Sequence, residues 1–110
     1  MRILLCLASI ATLTACAPPP QSEEEKLAAQ AAAFRVTARE CTIYLGGVDG
    51  IREMQQKANA QEAAARSLGA TDAVVAAQSN SIQSRFNLME GLVGKQEACS
   101  EMVNLTVANL

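Results

Sequence analysis

The feature that most limits the fold of this chain is a run of apolar residues at helical spacing that is rich in alanine. Between residues 27 and 45 they recur every three or four positions, which places them on one face of an α-helix. They are Leu27, Ala31, Phe34, Ala38, Cys41 and Leu45. Nowhere does the chain alternate apolar and polar residues over a useful length, as a half-buried strand would. The pattern predicts an all-α fold.

Local signals predict where the first helix begins and ends. Ser22 and Glu25 have the spacing of a capping box, so we expect this helix to start at Ser22. A glycine-rich segment at residues 46–50 then interrupts the pattern. Gly46 is expected to follow the end of the first helix, and Asp49 to cap the start of the second.

The remaining helices are bounded in the same way. Gly69 is expected to end the second helix, and Thr71 or Asp72 to cap the third. Gly91 and Gly94 weaken the third helix, after which the chain continues as helix to about residue 108. The sequence therefore predicts about four helices.

Composition excludes much of the usual chemistry. The 110 residues include no histidine and no tryptophan, and the formal net charge is −2. The commonest general base and metal ligand is thus missing, and no basic surface suited to nucleic acid is expected. We predict no catalytic residue, no metal site and no cofactor, and we do not expect an enzyme.

A few side chains could carry a binding function, but a plain structural interpretation of each is preferred. Arg35 and Arg39 could bind an anionic polymer or a lipid headgroup, yet a solvated helix face explains their spacing. Glu97 and Glu101 form a repulsive surface pair more naturally than a carboxylate dyad. Tyr44, near the first glycine cluster, is a candidate contact residue. The methionines are interpreted as filling gaps in a thin core: Met54, Met89 and Met102.

The N-terminus carries the most specific motif. Arg2 precedes a short apolar run, residues 3–13, which is too short to span a bilayer. The run ends in Leu13-Thr14-Ala15-Cys16, which resembles the lipobox of bacterial lipoproteins. The resemblance implies that Cys16 is acylated and that a signal peptidase cleaves between Ala15 and Cys16. The alternative is an ordinary signal peptide with an unrelated cysteine.

This resemblance also implies a location and a domain plan. Acyl chains such as palmitate would anchor the mature protein to a membrane without spanning it. Ala17 implies sorting to the periplasmic face of the outer membrane if the source is Gram-negative. We divide the chain into a signal peptide (1–15), the lipidated cysteine with a proline-rich spacer (16–21) and a helical domain (22–110).

Two cysteines, Cys41 and Cys99, remain after the signal peptide and the anchor are set aside. They lie at equal sequence distances from Ala70, as do Gly46 and Gly94. If Gly69 and Ala70 form the tip of an antiparallel helical hairpin, equal distances mean equal heights. In an oxidising compartment this predicts a Cys41–Cys99 disulfide. The alternative is a pair of free, buried cysteines.

Two architectures fit this symmetry, whereas a three-helix bundle with one straight helix over residues 72–108 would leave the cysteines far apart. In the preferred one, the chain breaks at both glycine clusters and folds into a compact antiparallel bundle. In the other, a long helical hairpin runs through the glycines.

These inferences predict a membrane-anchored lipoprotein of the cell envelope whose helical domain is an interaction or structural module. The alternative is an accessory lipoprotein of a specialised system for exclusion, lysis or secretion. A protein partner in the envelope is expected, and self-association stays open.

Overall fold

The computed structural model describes residues 21–108, which contain four α-helices. The helices are α1 (Glu23–Glu40), α2 (Val48–Ser67), α3 (Asp72–Val93) and α4 (Lys95–Ala108), with a short 3-10 turn at Thr42–Tyr44. The predicted all-α fold, its helix number and the breaks at both glycine clusters are confirmed. The compact bundle, rather than the long hairpin, is therefore correct.

Helix α1 lies at the centre of the bundle, because each of the other three helices packs against it. Side-chain contacts show in which direction each helix runs relative to α1. Arg35 of α1 reaches Asn59 of α2, which runs antiparallel to α1, whereas Arg39 reaches Gln83 of α3, which runs parallel to it. Helix α4 then returns alongside α3 and α1. Consecutive helices thus run in opposite directions.

The predicted helical hairpin around Gly69 and Ala70 is wrong, although the predicted Cys41–Cys99 pairing is confirmed. Gly69 and Ala70 do connect two helices, but α2 and α3 do not pack together as a hairpin in the described residues, because α1 occupies the space between them. Cys41 and Cys99 meet for another reason. The chain reverses at Gly94, so that α4 begins beside the C-terminal end of α1.

The central position of α1 explains its burial. The sequence predicted one apolar stripe, but the structure buries residues around most of the helix. Buried positions outside the predicted stripe are Ala28, Ala32, Ala33, Val36 and Thr37. The hydroxyl of Thr37 donates to the carbonyl oxygen of Ala33 at 2.7 Å, so its burial leaves no unpaired donor. Small side chains let helices pack against α1 from several directions.

Two hydrophobic clusters lie along α1, and other buried residues, among them Phe34 and Ala58, belong to neither. The first, called the disulfide cluster, consists of Ala33, Val36, Cys41, Phe86, Ala98, Cys99 and Met102, with Ile82 and Met89 packed against it. The second, called the alanine cluster, consists of Ala28, Ala65 and Ala70, with Leu27, Val74 and Val75 packed against it. Only the disulfide cluster includes residues of α4.

The start of α1 agrees with the sequence, but its end does not. The carboxylate of Glu25 accepts from the backbone N–H of Ser22 at 3.2 Å and from its hydroxyl at 2.7 Å. These hydrogen bonds lower the pKa of Glu25. The helix was expected to reach Leu45, yet it ends at Glu40, and the chain tightens into the 3-10 turn. Gly46 follows this turn, with φ +77°, instead of following α1.

The start of α2 also differs from the prediction. Gly47, not Asp49, is its N-cap residue. Gly47 and Gly94 adopt the same extended conformation with positive φ, with φ/ψ of 101°/−161° and 90°/166°. This region of conformational space is accessible essentially to glycine alone. The same glycine conformation therefore reverses the chain before α2 and again before α4.

At the other end of α2 the prediction holds. The N–H of Ala70 donates to the carbonyl of Ala65, and that of Gly69 to the carbonyl of Arg66, each at 3.0 Å. This pair of bonds is a Schellman motif, and it places Ala70 against Ala65 in the alanine cluster. Thr71 then caps α3, since its side chain accepts from the N–H of Val74 at 3.3 Å.

Candidate functional site

The predicted acylation and cleavage site, Ala15 and Cys16, lies outside the described residues. The structure therefore bears on the domain that would follow the anchor. Within residues 21–108 no helix combines the length and apolarity that a membrane span requires.

Both cysteines of the predicted pair belong to the disulfide cluster. The sulfur atoms of Cys41 and Cys99 are 2.16 Å apart and the Cα atoms 5.6 Å apart, so the two residues form a disulfide. Both residues are fully buried. Cys41 directly follows α1 and Cys99 lies in α4, so the bond joins the central helix to the last one.

The two arginines singled out in the sequence line a surface groove of about 480 Å³ between α1 and α2. Both guanidinium groups already have partners. Arg35 donates to the carboxylate of Glu62 at 2.5 Å and to the side chain of Asn59 at 3.1 Å. Arg39 donates to the side-chain oxygen of Gln83. These bonds favour a role in fixing helix α1 against its neighbours over the binding of an external anion.

An ionic chain that sequence reasoning missed extends from this groove. Glu62 also binds Arg66 at 3.2 Å, and Arg66 binds Asp72 at 2.7 Å. With Arg35 these groups link α1, α2 and the first residue of α3. Burial raises the pKa of Glu62, but the hydrogen bonds and the positive charges of Arg35 and Arg66 together outweigh it, so the pKa is lowered overall. The only local signal was the Glu62–Arg66 spacing of four residues.

Tyr44 borders a second groove, of about 280 Å³, on the outer side of α4. The groove reaches Cys99 and is otherwise lined by Gln96, Ser100, Val103 and Asn104. Tyr44 is half-exposed. The lining offers a phenol, a hydroxyl and amides but no charged group, so it holds no acid–base pair.

Several large apolar side chains are exposed near the disulfide cluster. Val93, which directly precedes the reversal at Gly94, is exposed. Leu88 and Leu92, one helical turn apart on α3, are 66% and 75% exposed. The 3-10 turn and the start of α2 add two more, Ile43 and Val48. In the sequence, a local signal of this surface is the four-residue spacing of Leu88 and Leu92.

The remaining candidates show no arrangement suited to chemistry. No group of three metal-binding side chains occurs in the part of the chain that the structure describes. Glu97 and Glu101 are exposed on α4. Met89 and Met102 pack in the disulfide cluster, where thioethers fill space around Phe86.

The chain was compared with protein families, curated proteins and solved structures. No family model, no curated protein and no solved structure matches it.

Proposed function

We propose that this protein is a membrane-anchored lipoprotein of the cell envelope, and that its helical bundle is a small interaction module for a protein partner. The observation that carries the proposal is the lipobox ending in Cys16. A short proline-rich spacer separates it from α1, which begins at Glu23. This order suits a folded domain held close to a membrane by acyl chains.

The geometry of α1 determines what such an anchor would present. The anchor precedes the N-terminal end of α1, and the disulfide cluster includes Cys41, just past its C-terminal end. A helix of 18 residues is about 27 Å long. The exposed apolar side chains near the disulfide cluster therefore lie at the C-terminal end of α1, about one helix length from the end that follows the anchor in the sequence.

These side chains support an interaction role. Isolated exposed leucines are common on protein surfaces, so each alone means little. Here Leu88, Leu92 and Val93 lie within two turns of α3, and Ile43 and Val48 flank the neighbouring reversal. Large apolar side chains that lose contact with water on association contribute strongly to protein–protein binding.

The anchor is tested by labelling with fatty acid in the native host. We expect Cys16→Ala to abolish incorporation of label and to leave an uncleaved precursor. Cys6→Ala is the matched control, because Cys6 lies in the apolar run outside the lipobox, and this variant should be labelled like the wild type. Equal labelling of the Cys16→Ala protein and the wild type would contradict the anchor.

The module is tested by crosslinking in intact envelopes. We expect the wild type to give a defined crosslinked species with a second protein, and Leu92→Glu to remove it. Leu68→Glu is the control, because Leu68 is 53% exposed but lies beside the alanine cluster. The absence of any crosslinked protein, or equal loss with both variants, would contradict a partner site near the disulfide cluster. The identity of the partner would also reveal an accessory role in a specialised envelope system.

A further inference from the structure

Helix α4 carries one cysteine of the disulfide, whereas the other, Cys41, lies just past the end of α1. Helix α4 follows the reversal at Gly94 and has 14 residues, a length at which an isolated helix is marginal in water. In its described part, the residues that it buries are Ala98, Cys99, Met102 and Thr106. Of these only Met102 brings a large apolar side chain to the core. The described residues thus attach α4 to the core through one large apolar side chain and one covalent bond.

The other three helices have contacts of their own that do not involve α4. The alanine cluster joins α1, α2 and α3 without any residue of α4. The ionic chain through Glu62 and Arg66 links the same three helices. Packing between α1 and α2 is the most extensive helix–helix contact in the bundle. Loss of α4 would leave these interactions in place.

We propose that the Cys41–Cys99 disulfide is a redox-controlled latch that keeps α4 docked on the bundle. Reduction releases α4 at Gly94, while α1, α2 and α3 stay folded. Release of α4 uncovers an apolar surface formed by Ala33, Phe86 and Met89, which line a small, partly open cavity together with Met102. The latch thus converts a covered part of the core into an accessible surface.

The chemistry of release is thiol–disulfide exchange with a dithiol reductant. A thiolate of the dithiol attacks one sulfur of the Cys41–Cys99 bond, forming a mixed disulfide, and the other cysteine leaves as a thiolate. The second thiolate of the dithiol resolves the mixed disulfide. Two electrons and two protons reach the cysteine pair in total, and the dithiol becomes a disulfide. Because both cysteines are fully buried, the thiolate reaches the bond when α4 opens transiently beside the groove that Tyr44 and Cys99 line.

Limited trypsin digestion of the lipidated, full-length protein in detergent tests the latch. Trypsin cleaves after Lys95, the first residue of α4, whereas Lys57 and Arg66 lie in α2 and serve as internal controls. Cleavage tracks the population of the open form when opening is fast. We expect the Cys41→Ala/Cys99→Ala variant to be cut at Lys95 at least about tenfold faster than the oxidised wild type, with little change at Lys57 and Arg66.

The same digestion of wild type reduced with dithiothreitol should reproduce the pattern of the variant. Unchanged cleavage at Lys95 in either protein would show that packing alone holds α4, and would overturn the proposal. Equal acceleration at all three sites would show that the whole bundle unfolds, and would overturn it as well. Hydrogen exchange adds a second measurement: amides of residues 98–106 should lose protection while those of α2 keep it.

Discussion

The two clusters of the core achieve stability by different means. The disulfide cluster contains an aromatic ring, a thioether and a covalent bond, and draws on α1, α3 and α4. The alanine cluster consists of three alanines with a few partly buried aliphatic neighbours, and joins α1, α2 and α3. Burying a phenylalanine contributes about 1.5–3 kcal/mol, whereas an alanine methyl contributes much less. The alanine cluster must therefore rely on other interactions.

The alanine cluster is stabilised instead by a tight turn that brings two backbone segments together and by ion pairs between the helices. The Schellman motif turns the chain tightly enough to bring Ala70 against Ala65, and the ionic chain from Arg35 to Asp72 links the three helices around the cluster. At the disulfide cluster, by contrast, the chain reverses twice through glycines, and a disulfide joins the two segments. Local hydrogen bonds and ion pairs thus stabilise the alanine cluster, whereas a covalent cross-link stabilises the disulfide cluster.

The largest effect is expected at Phe86, which is fully buried in the disulfide cluster. Phe86→Ala should lower the free energy of unfolding by about 3–5 kcal/mol, because it removes the ring and leaves a cavity. Leu88→Ala on the same helix is the control and should change stability by at most about 0.5 kcal/mol. Urea unfolding followed by circular dichroism measures both. A loss below about 1 kcal/mol for Phe86→Ala would mean that the cluster is loosely packed.

The reversal at Gly94 should be the next most sensitive point. Gly94→Ala forces a side chain into a conformation that glycine alone tolerates, and should cost about 1–3 kcal/mol. Gly91→Ala is the matched variant, because Gly91 lies inside α3 and an added Cβ would meet no atom within 4 Å. It should stabilise the protein by up to about 1 kcal/mol. Thermal midpoints should therefore shift in opposite directions, and stabilisation by both substitutions would contradict the break between α3 and α4.

The alanine cluster should resist enlargement. Ala65→Leu adds three heavy atoms at a fully buried position and should destabilise by about 1–3 kcal/mol through overpacking. Ala63→Leu, at an exposed position two residues earlier in α2, should change stability by no more than about 0.5 kcal/mol. If Ala65→Leu were neutral in urea unfolding, the close helix contact at this cluster would be disproved.

The ionic chain should give the smallest effect and the one that depends on pH. The pKa of Glu62 is lower in the folded protein than in the unfolded chain, so its contribution is present above the unfolded pKa and disappears as pH falls through the folded pKa. Glu62→Gln should therefore reduce stability at neutral pH by up to about 1 kcal/mol and flatten its decline in acid.

Unfolding free energies measured at several pH values would show this difference. Glu53→Gln is the control, because the partner of Glu53 is Lys57 on its own helix. It should cause a smaller loss than Glu62→Gln. Parallel pH profiles for the wild type and the Glu62→Gln protein would show that the chain through Arg35 and Arg66 contributes no stability.

Much of the fold could be predicted because its signals are local. The capping residues Ser22 and Thr71 and the helix end at Gly69 occupy the expected positions, since each acts on backbone groups within a few residues. The cap at Asp49 was wrong, because the conformation of Gly47 begins α2 two residues earlier. Of the proposed site, the cysteine pair was predicted from spacing, and the exposed leucines of α3 were not singled out.

The sequence by itself determined the helical class and the caps at Ser22 and Thr71, because helix propensity and capping depend on neighbouring residues, but it left open whether the helices break at the two glycine clusters. Tertiary structure alone decided that α1 lies between α2 and α3, that Thr37 is buried and that Glu62 joins two arginines. Alanine fits equally well against water, a neighbouring helix or another alanine, so an alanine-rich pattern does not show how many faces of a helix are covered. Only the packing of all four helices together settles which faces meet.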